Sequence, residues 1–385
     1  MKKDKNLTLW NDGTKTVAAS LLSILMGVIF GGVLLFVVAL ALKMPLGSAW
    51  EGFRIVLAGV FNTGRNYDAG SALTFGFNAR LVGDMLFRAT PLIMTGLSVA
   101  LAYKTGLFNI GAPGQYLMGT AASIIVALSM DTGAVPAFLV WLLAFLAAIA
   151  AGALWGCIPG LFKAYLNVNE VITSIMTNWI AANLVTLLFD GSQFINNVDF
   201  GGGNANAGIL IAILFAAAAY VVINKTTFGY ELRACGSNKN AARYAGMNEK
   251  RNIVLSMAIA GGLSAAGAAL YFLQGDVEFY WHTSMTLPAT GFNGIPVALL
   301  ASCSPIGCIF SGMFMAYLTI SGSQLSTFTA YNEYIANIII AVIVYLSAFT
   351  LFFKGLMDKK KTAPGRSGDA PAPAAETAGK GTKKP

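Results

Sequence analysis

Two copies of one short motif stand out in the sequence. The first runs from Thr105 to Gly111 and reads TGLFNIG, and the second runs from Thr290 to Ile295 and reads TGFNGI. Each combines small residues with an aromatic ring and an amide, and each opens an unusually short apolar stretch. Breaks at corresponding positions of two halves are typical of a solute path through a membrane, because unwound backbone is tolerated there only against protein or water. The pairing therefore indicates a transporter.

The candidate residues of such a path are the aromatic and amide side chains in and near the motifs. They are Phe108, Asn109, Gln115, Phe292 and Asn293. Aromatic faces can hold a base or a sugar ring, and amides provide neutral hydrogen bonding. Asn178 and Asn183 are further candidates, because lipid would reject their amides. A second role stays open, since the same amides could cap broken helices or join helices to one another.

The sequence lacks the groups that would energise transport by itself. No Asp, Glu, Lys, Arg or His lies near the middle of a predicted crossing, so a proton relay has no titratable group. The phosphate-binding pattern GxxxxGK[ST] does not occur. The four cysteines show no metal-ligand spacing, and His282, the single histidine, favours an interfacial role beside Trp281. We therefore expect no catalytic residue, no metal and no cofactor, and either an energising partner or passive flow.

Composition identifies the elements that must position these residues. The chain is 56% hydrophobic and 11% charged, with a mean hydropathy of +0.66, whereas a soluble domain is about 25% charged. This predicts an all-α, polytopic membrane protein with about ten crossings, of which the third and eighth are too short to span alone. The predicted segments are Val17–Leu42, Met85–Ala102, Gln115–Leu128, Ala134–Phe162, Val171–Leu188, Ala207–Ile223, Ile253–Leu273, Phe292–Cys303, Pro305–Ile320 and Tyr334–Phe353.

Basic residues predict the topology. With both termini in the cytoplasm, 20 of the 25 Lys and Arg residues fall inside, which is the expected bias. The two motifs then precede crossings an odd number apart, so their copies point in opposite directions. This predicts an inverted repeat, with half-repeats at about 81–190 and 253–353. Chance recurrence of Gly, Phe and Asn is the alternative, and the short segments after both motifs argue against it.

The predicted topology divides the chain into a membrane domain and three cytoplasmic regions. We expect a cytoplasmic N-terminus at 1–15, a membrane domain at 16–355, an inner loop at 224–252 and a disordered tail at 356–385, which is rich in Pro, Ala and Gly. Within the inner loop, Ser237 or Asn238 can cap a short helix that ends near Gly246. A cytoplasmic partner could push on such a helix. The alternative is a solvated, positively charged loop.

Four stretches of sequence, in this order, carry a family resemblance. They are GLFNIGAPGQYLMG (106–119), NEVITSIMTNWIA (169–181), GYELRACGSNKNAARYAGMN (229–248) and GFNGIPVALLASCSPIG (291–307). Together they resemble the permease subunit of bacterial ABC importers of the branched-chain amino acid, ribose and nucleoside superfamily, over about residues 15–355. The chain is most similar to nucleoside-type permeases that work with a basic-membrane-protein-like lipoprotein. Ala112-Pro113 departs from the Val-Glu or Ala-Glu often found before Gly-Gln, which removes a carboxylate.

The resemblance implies the rest of the assembly. Such permeases are similar in fold to the vitamin B12 importer, pair as homo- or heterodimers in the bacterial cell membrane, and receive substrate from an extracytoplasmic binding lipoprotein. Two cytoplasmic ATPase subunits use ATP and act through a coupling helix. By resemblance, that helix comprises Gly236, Ser237, Asn238, Lys239, Asn240, Ala241, Ala242, Arg243, Tyr244, Ala245 and Gly246. The implied substrate is a nucleoside, with a sugar such as ribose or a branched-chain amino acid as the alternative.

Overall fold

The structure is a computed structural model that describes most of the chain. The described residues are 12–66, 72–131, 133–189, 193–195, 207–274, 277–281 and 287–347, together with 349, 352 and 355. The tail predicted at 356–385, the first eleven residues of the predicted cytoplasmic N-terminus, and His282 lie outside the described residues.

Helices dominate the described residues. In chain order they are α1 (Asp12–Ala41), α2 (Leu46–Ala58), α3 (Ala79–Lys104), α4 (Ala112–Ser129), α5 (Ala137–Leu166), α6 (Glu170–Phe189), α7 (Gly208–Lys225), α8 (Thr227–Ser237), α9 (Lys239–Tyr244), α10 (Glu249–Phe272), α11 (Ala289–Leu300), α12 (Pro305–Phe328) and α13 (Glu333–Ser347). The all-α membrane class is confirmed, and each predicted apolar segment coincides with a helix over its described residues; positions 348, 350, 351 and 353 of the last segment lie outside them. Among the described residues, seven helices are long and apolar enough to cross a membrane, whereas α4, α11 and α13 are shorter or more polar.

In the part of the chain that the structure describes, four short strands, which the sequence did not suggest, form two antiparallel pairs. β1 (Asn62–Asn66) pairs with β2 (Ala72–Phe75), in the connection between α2 and α3. β3 (Gln193–Ile195) pairs with β4 (Glu278–Tyr280). The second pair ties the chain after α6 to the chain before α11, so connections from the two halves of the sequence meet at one side of the bundle.

Helices α3 and α10 form the centre of the bundle. In each of them, 78% of the spanning segment is buried, compared with 28% in α5 and 33% in α6. They pack against each other, and between them they also contact α4, α5, α11 and α12. Small side chains dominate the middle of α10, from Gly261 to Ala269. Such residues allow helix backbones to approach closely, which is a main source of helix association in lipid.

The packing of the two halves is similar in pattern. Helix α5 packs on α10 as α12 packs on α3. In the same way, α4 contacts α10 as α11 contacts α3. Helix α1 packs on the last helix, α13, where Gly27 lies against the backbone of Ile343. The hydroxyl of Tyr331 donates to the carbonyl of Leu35 at 2.8 Å and fixes this peripheral pair.

The backbones of α5 and α10 approach each other closely at glycine positions. A Cβ on Gly261 would overlap the carbonyl oxygen of Gly152, and a Cβ on Gly156 would overlap the carbonyl oxygen of Met257. These positions leave no space for a side chain, because the partner atoms are backbone atoms that cannot rotate away. The α5–α10 contact therefore depends on glycine at these sites.

Gly261→Ala should destabilise the protein, while Gly262→Ala should not. Overpacking at position 261 costs about 1–3 kcal/mol, because the two helices must separate. At position 262 a new Cβ meets the Cγ2 of Ile149 at 3.3 Å, and that side chain can adjust. Thermal unfolding of the purified proteins in detergent measures the difference. Equal midpoints for the two variants would contradict the close approach of α5 and α10.

Candidate functional site

The chain between α3 and α4 turns back along α3 instead of leaving the bundle. Gly106 has a φ of +73°, a left-handed conformation that suits glycine, and it starts the turn just after Lys104 ends α3. Three residues later, the Nδ2 of Asn109 donates to the Oγ of Ser98 at 2.9 Å. Ser98 lies six residues before the end of α3, which is about 9 Å along the helix axis. Helix α4 therefore begins within the bundle, as expected for an interrupted helix.

Asn109 and Gln115 form a buried pair of amides at the start of α4. The Nδ2 of Asn109 donates to the Oε1 of Gln115 at 2.8 Å, and the Nε2 of Gln115 donates back to the Oδ1 of Asn109 at 3.1 Å. The same Oδ1 accepts from the backbone N–H of Gly111 at 3.1 Å. Both side chains are at most 1% exposed. The pair thus satisfies polar groups that no water or lipid could satisfy at this depth.

Asn178 holds the same helix start from α6. Its Oδ1 accepts from the backbone N–H of Gly114 at 2.9 Å, and its Nδ2 donates to the carbonyl of Ile110 at 2.9 Å. From α10, the hydroxyl of Ser264 donates to the carbonyl of Ala112 at 2.8 Å. The first turn of α4 is therefore bonded to side chains from two other helices, which fixes where it begins.

The start of α11 lies directly against the start of α4. A Cβ on Gly291 would overlap the Cα of Pro113, and a Cβ on Gly294 would lie 2.6 Å from the carbonyl carbon of Thr95 in α3. The structure therefore brings together the two motifs that the sequence singled out. Their interrupted helices meet through glycine and proline backbone.

The candidate path residues fall into two groups. Asn109, Gln115 and Asn178 are buried, and their amides bond to the backbone, to Ser98 or to each other. Phe108 and Asn293 are half-buried, whereas Phe292 and Asn183 are exposed. The Nδ2 of Asn183 donates to the carbonyl of Trp179 at 2.8 Å. Contact of any of these residues with substrate stays a prediction.

A cavity of about 220 Å³ lies between α6 and the start of α11. It is lined by Ile175, Asn178, Trp179, Leu287 and Phe292. The lining carries no charge, which suits a neutral solute. In the described part of the chain, no group of three His, Cys, Asp or Glu side chains could hold a metal ion. Sequence reasoning included Asn178 and Phe292 but missed Trp179, whose position near the middle of a spanning helix was the available signal.

The inner loop forms two helices where the sequence predicted one. Asn238 caps α9 as expected, because its Oδ1 accepts from the N–H of Ala241 at 3.1 Å, and the helix ends at Tyr244, two residues before Gly246. Helix α8 was missed. It is capped by Thr226, whose Oγ1 accepts from the N–H of Gly229 at 3.1 Å. In α9 only Ala242 is buried, and Tyr244 is 93% exposed.

The last turn of α8 touches the loop that leads into α4. A Cβ on Gly236 would overlap the carbonyl oxygen of Lys104 and would lie 2.9 Å from the backbone nitrogen of Gly106. Nearby, Lys163 and Glu170 form a salt bridge of 2.8 Å between the end of α5 and the start of α6. The inner-loop helices thus lie on the same side of the bundle as Lys104, in backbone contact with the first motif.

Asn178→Ala should destabilise the protein far more than Asn183→Ala. The first change leaves the N–H of Gly114 and the carbonyl of Ile110 unpaired in the interior, at about 1–3 kcal/mol for each group. The second removes only a bond from an exposed amide to its own helix, so its effect should be small. Thermal midpoints in detergent measure both. An equal loss in the two variants would show that Asn178 does not fix the start of α4.

Comparison with known proteins places the chain in a family. The family described as branched-chain amino acid transport system / permease component matches residues 81–348. The guanosine ABC transporter permease protein NupP of Bacillus subtilis is 34% identical over 338 residues, covering 82% of this chain and 94% of that protein. The nucleoside ABC transporter permease protein NupB of Lactococcus lactis is 33% identical over 308 residues, covering 74% and 83%. The glucose ABC transporter permease protein TsgB13 of Haloferax volcanii is 34% identical over 297 residues, covering 70% and 77%. The chain, a multi-pass membrane protein, thus belongs to the family of branched-chain amino acid transport system permease components.

Proposed function

We propose that this chain is the permease subunit of an ABC importer that moves a nucleoside into the cytoplasm. The observation that carries the proposal is the junction of α4 and α11, where two interrupted helices meet inside the bundle among uncharged amide and aromatic side chains. Such a junction suits passage of a neutral polar solute. The guanosine and nucleoside permeases named above support a nucleoside as that solute. The subunit itself performs no catalysis and needs no cofactor.

A second permease subunit, identical or related, would complete the path. Helix α6 exposes one face along most of its length, which includes Met176, Trp179, Asn183 and Leu187. An exposed amide on a spanning helix is costly against lipid, so this face suits a protein-enclosed, hydrated space. Pairing of two subunits across this face would enclose the path between them.

The inverted repeat is part of the proposal. The matching contacts of α5 with α10 and of α12 with α3 support two halves related by a pseudo-two-fold axis in the membrane plane. In that arrangement α4 would run from the junction toward one surface and α11 toward the other. An opening on either side could then be controlled from one central point.

Two cytoplasmic ATPase subunits would act on α9, the main part of the coupling segment Gly236–Gly246. Its exposed Tyr244 offers a large amphipathic side chain of the kind enriched at interface centres. Lys104, Lys163 and the inner-loop helices share one side of the bundle, and the bias of basic residues supports placing that side in the cytoplasm. Both termini would lie on that side too. An extracytoplasmic lipoprotein would deliver substrate to the opposite face, in a bacterial cell membrane.

Movement of α9 would reach the path through backbone contacts. Helix α8 touches the loop at Gly106, this loop leads through Asn109 into α4, and α4 touches α11 at Gly291. Each contact is between backbone atoms or buried, hydrogen-bonded groups, so displacement at one end shifts the next element. This would link ATP hydrolysis to the junction.

A simple sugar is the second candidate substrate, because one matched relative is a glucose permease. Uptake by proteoliposomes that contain the permease with its binding protein and ATPase subunits separates the candidates. We expect ATP-dependent uptake of radiolabelled guanosine that excess unlabelled glucose does not reduce. Vesicles with the permease alone should show none. Uptake without ATPase subunits would identify a passive channel and contradict the proposal.

Gly236→Ala should uncouple ATP hydrolysis from uptake. The added methyl group would displace α8 from the loop at Lys104 and Gly106, while the exposed face of α9 stays unchanged. We expect assembled complexes that still hydrolyse ATP, with uptake per ATP reduced about 5-fold or more. Thr227→Ala, at an exposed position in the same helix but outside the coupling segment, is the control and should keep the wild-type ratio. An unchanged ratio in Gly236→Ala would remove this contact from the mechanism.

A further inference from the structure

Trp179 lies where tryptophan is unusual in a spanning helix. Helix α6 runs from Glu170 to Phe189, so Trp179 is about 13 Å from one end and about 15 Å from the other. In membrane proteins Trp is enriched at the two interfaces, where its N–H can reach water or headgroups. A Trp at mid-depth must instead be buried in protein or face an enclosed space.

The side chain of Trp179 is not buried in this chain. It is 53% exposed, and within the described residues its indole N–H finds no acceptor. Asn183, one turn away, exposes its amide on the same face of α6. Two neighbouring side chains with polar groups at this depth argue against a lipid-facing surface. The exposed face around Trp179 therefore suits a cavity that a solute can occupy.

Phe292 supplies a second ring on the other side of the same cavity. It lies in the second turn of α11, it is 37% exposed, and it lines the cavity together with Trp179, Ile175 and Leu287. Within the described residues, neither ring stacks on another aromatic ring. Both rings therefore keep free faces for a ligand, and the two aliphatic side chains complete an apolar slot.

We propose that Trp179 and Phe292 bind the base of a nucleoside during its passage, as an aromatic site in the path. This inference rests on the proposed function. A planar heterocycle gains stacking energy on such rings, and every base has a π-face, so the site would accept nucleosides without a strict base preference. The cavity of about 220 Å³ is smaller than the 300–1,000 Å³ usual for whole small-molecule ligands. It would hold the base and leave the ribose in the open part of the path.

The position of Phe292 gives this site a link to the helix junction. Gly291, its neighbour, contacts Pro113 at the start of α4. Asn178, which lines the cavity next to Trp179, accepts from the backbone N–H of Gly114 in the first turn of α4. Any shift of α11 relative to α6 would change the separation of the two rings. The site would therefore bind and release the base as the junction moves.

Uptake by the complete complex in proteoliposomes tests the site, with radiolabelled guanosine as the probe. Trp179→Leu, which keeps an apolar side chain but removes the π-face, should lower the ATP-driven uptake rate at subsaturating guanosine about tenfold, because the lost stacking weakens binding of the base. Trp179→Phe should restore most of that rate. Ile180→Ala, an exposed neighbour that does not line the cavity, is the matched control and should transport as wild type.

Photolabelling with 8-azidoguanosine provides a readout that does not depend on the rate. The wild-type complex should be labelled within residues 175–179 or 287–292, and excess guanosine should prevent the labelling. Wild-type rates in Trp179→Leu, or labelling only outside these residues, would overturn the aromatic site and leave the proposed function intact. A wild-type complex that takes up no nucleoside would overturn both.

Discussion

The structure depends on satisfying the backbone at the start of an interrupted helix inside a membrane protein. The first N–H groups of a helix have no partner within that helix, and the bilayer interior offers no water to replace it. At the start of α4, the side chains of Asn109 and Asn178 accept from the N–H groups of Gly111 and Gly114. The hydroxyl of Ser264 adds a bond to the carbonyl of Ala112. These bonds are what allow α4 to begin at depth. The cavity beside α6 and the contact with α11 both depend on this buried start of α4.

Small residues make the same arrangement sterically possible. Gly291 lets α11 meet Pro113, and Gly114 leaves room for the Asn178 amide, whose Oδ1 would lie 2.7 Å from a Cβ there. The glycine contacts between α5 and α10 hold the surrounding bundle at short helix separations. Polar bonds and small residues therefore act together, because Gly111 and Gly114 each present a backbone N–H to an amide oxygen that a Cβ at the same position would crowd.

Much of this fold could be predicted from the sequence, because each spanning helix carries its own apolar pattern. All ten predicted segments coincide with helices, and the two TG motifs do mark helix starts. The roles of Asn109, Gln115 and Asn178 could not be decided in advance. An amide in an apolar segment is equally consistent with a helix cap and with a ligand contact. The structure decides between them, because it places these amides within hydrogen-bonding distance of Gly111, Gly114 and Ser98.

Other features required three-dimensional contacts. Helix α8 is short, and its packing through Leu232 and Cys235 is visible only in the folded chain. The contact of Gly236 with Gly106 joins segments far apart in sequence, as does the pairing of β3 with β4. Trp179 stood within a quoted motif, yet its depth and exposure follow only from the boundaries and packing of α6.

The central claim is that α4 and α11 start against each other. Thermal unfolding in detergent tests it most directly, by comparison of Gly291→Ala with Gly47→Ala. At position 291 the three atoms nearest to a new Cβ all belong to Pro113, at 2.4 to 2.9 Å, whereas at position 47 a new Cβ meets no neighbouring atom within 4 Å. We predict that Gly291→Ala lowers the free energy of unfolding by about 1–3 kcal/mol, because the two helix starts must separate, and that Gly47→Ala keeps the wild-type midpoint. If both variants unfold at the wild-type midpoint, the two helix starts do not meet.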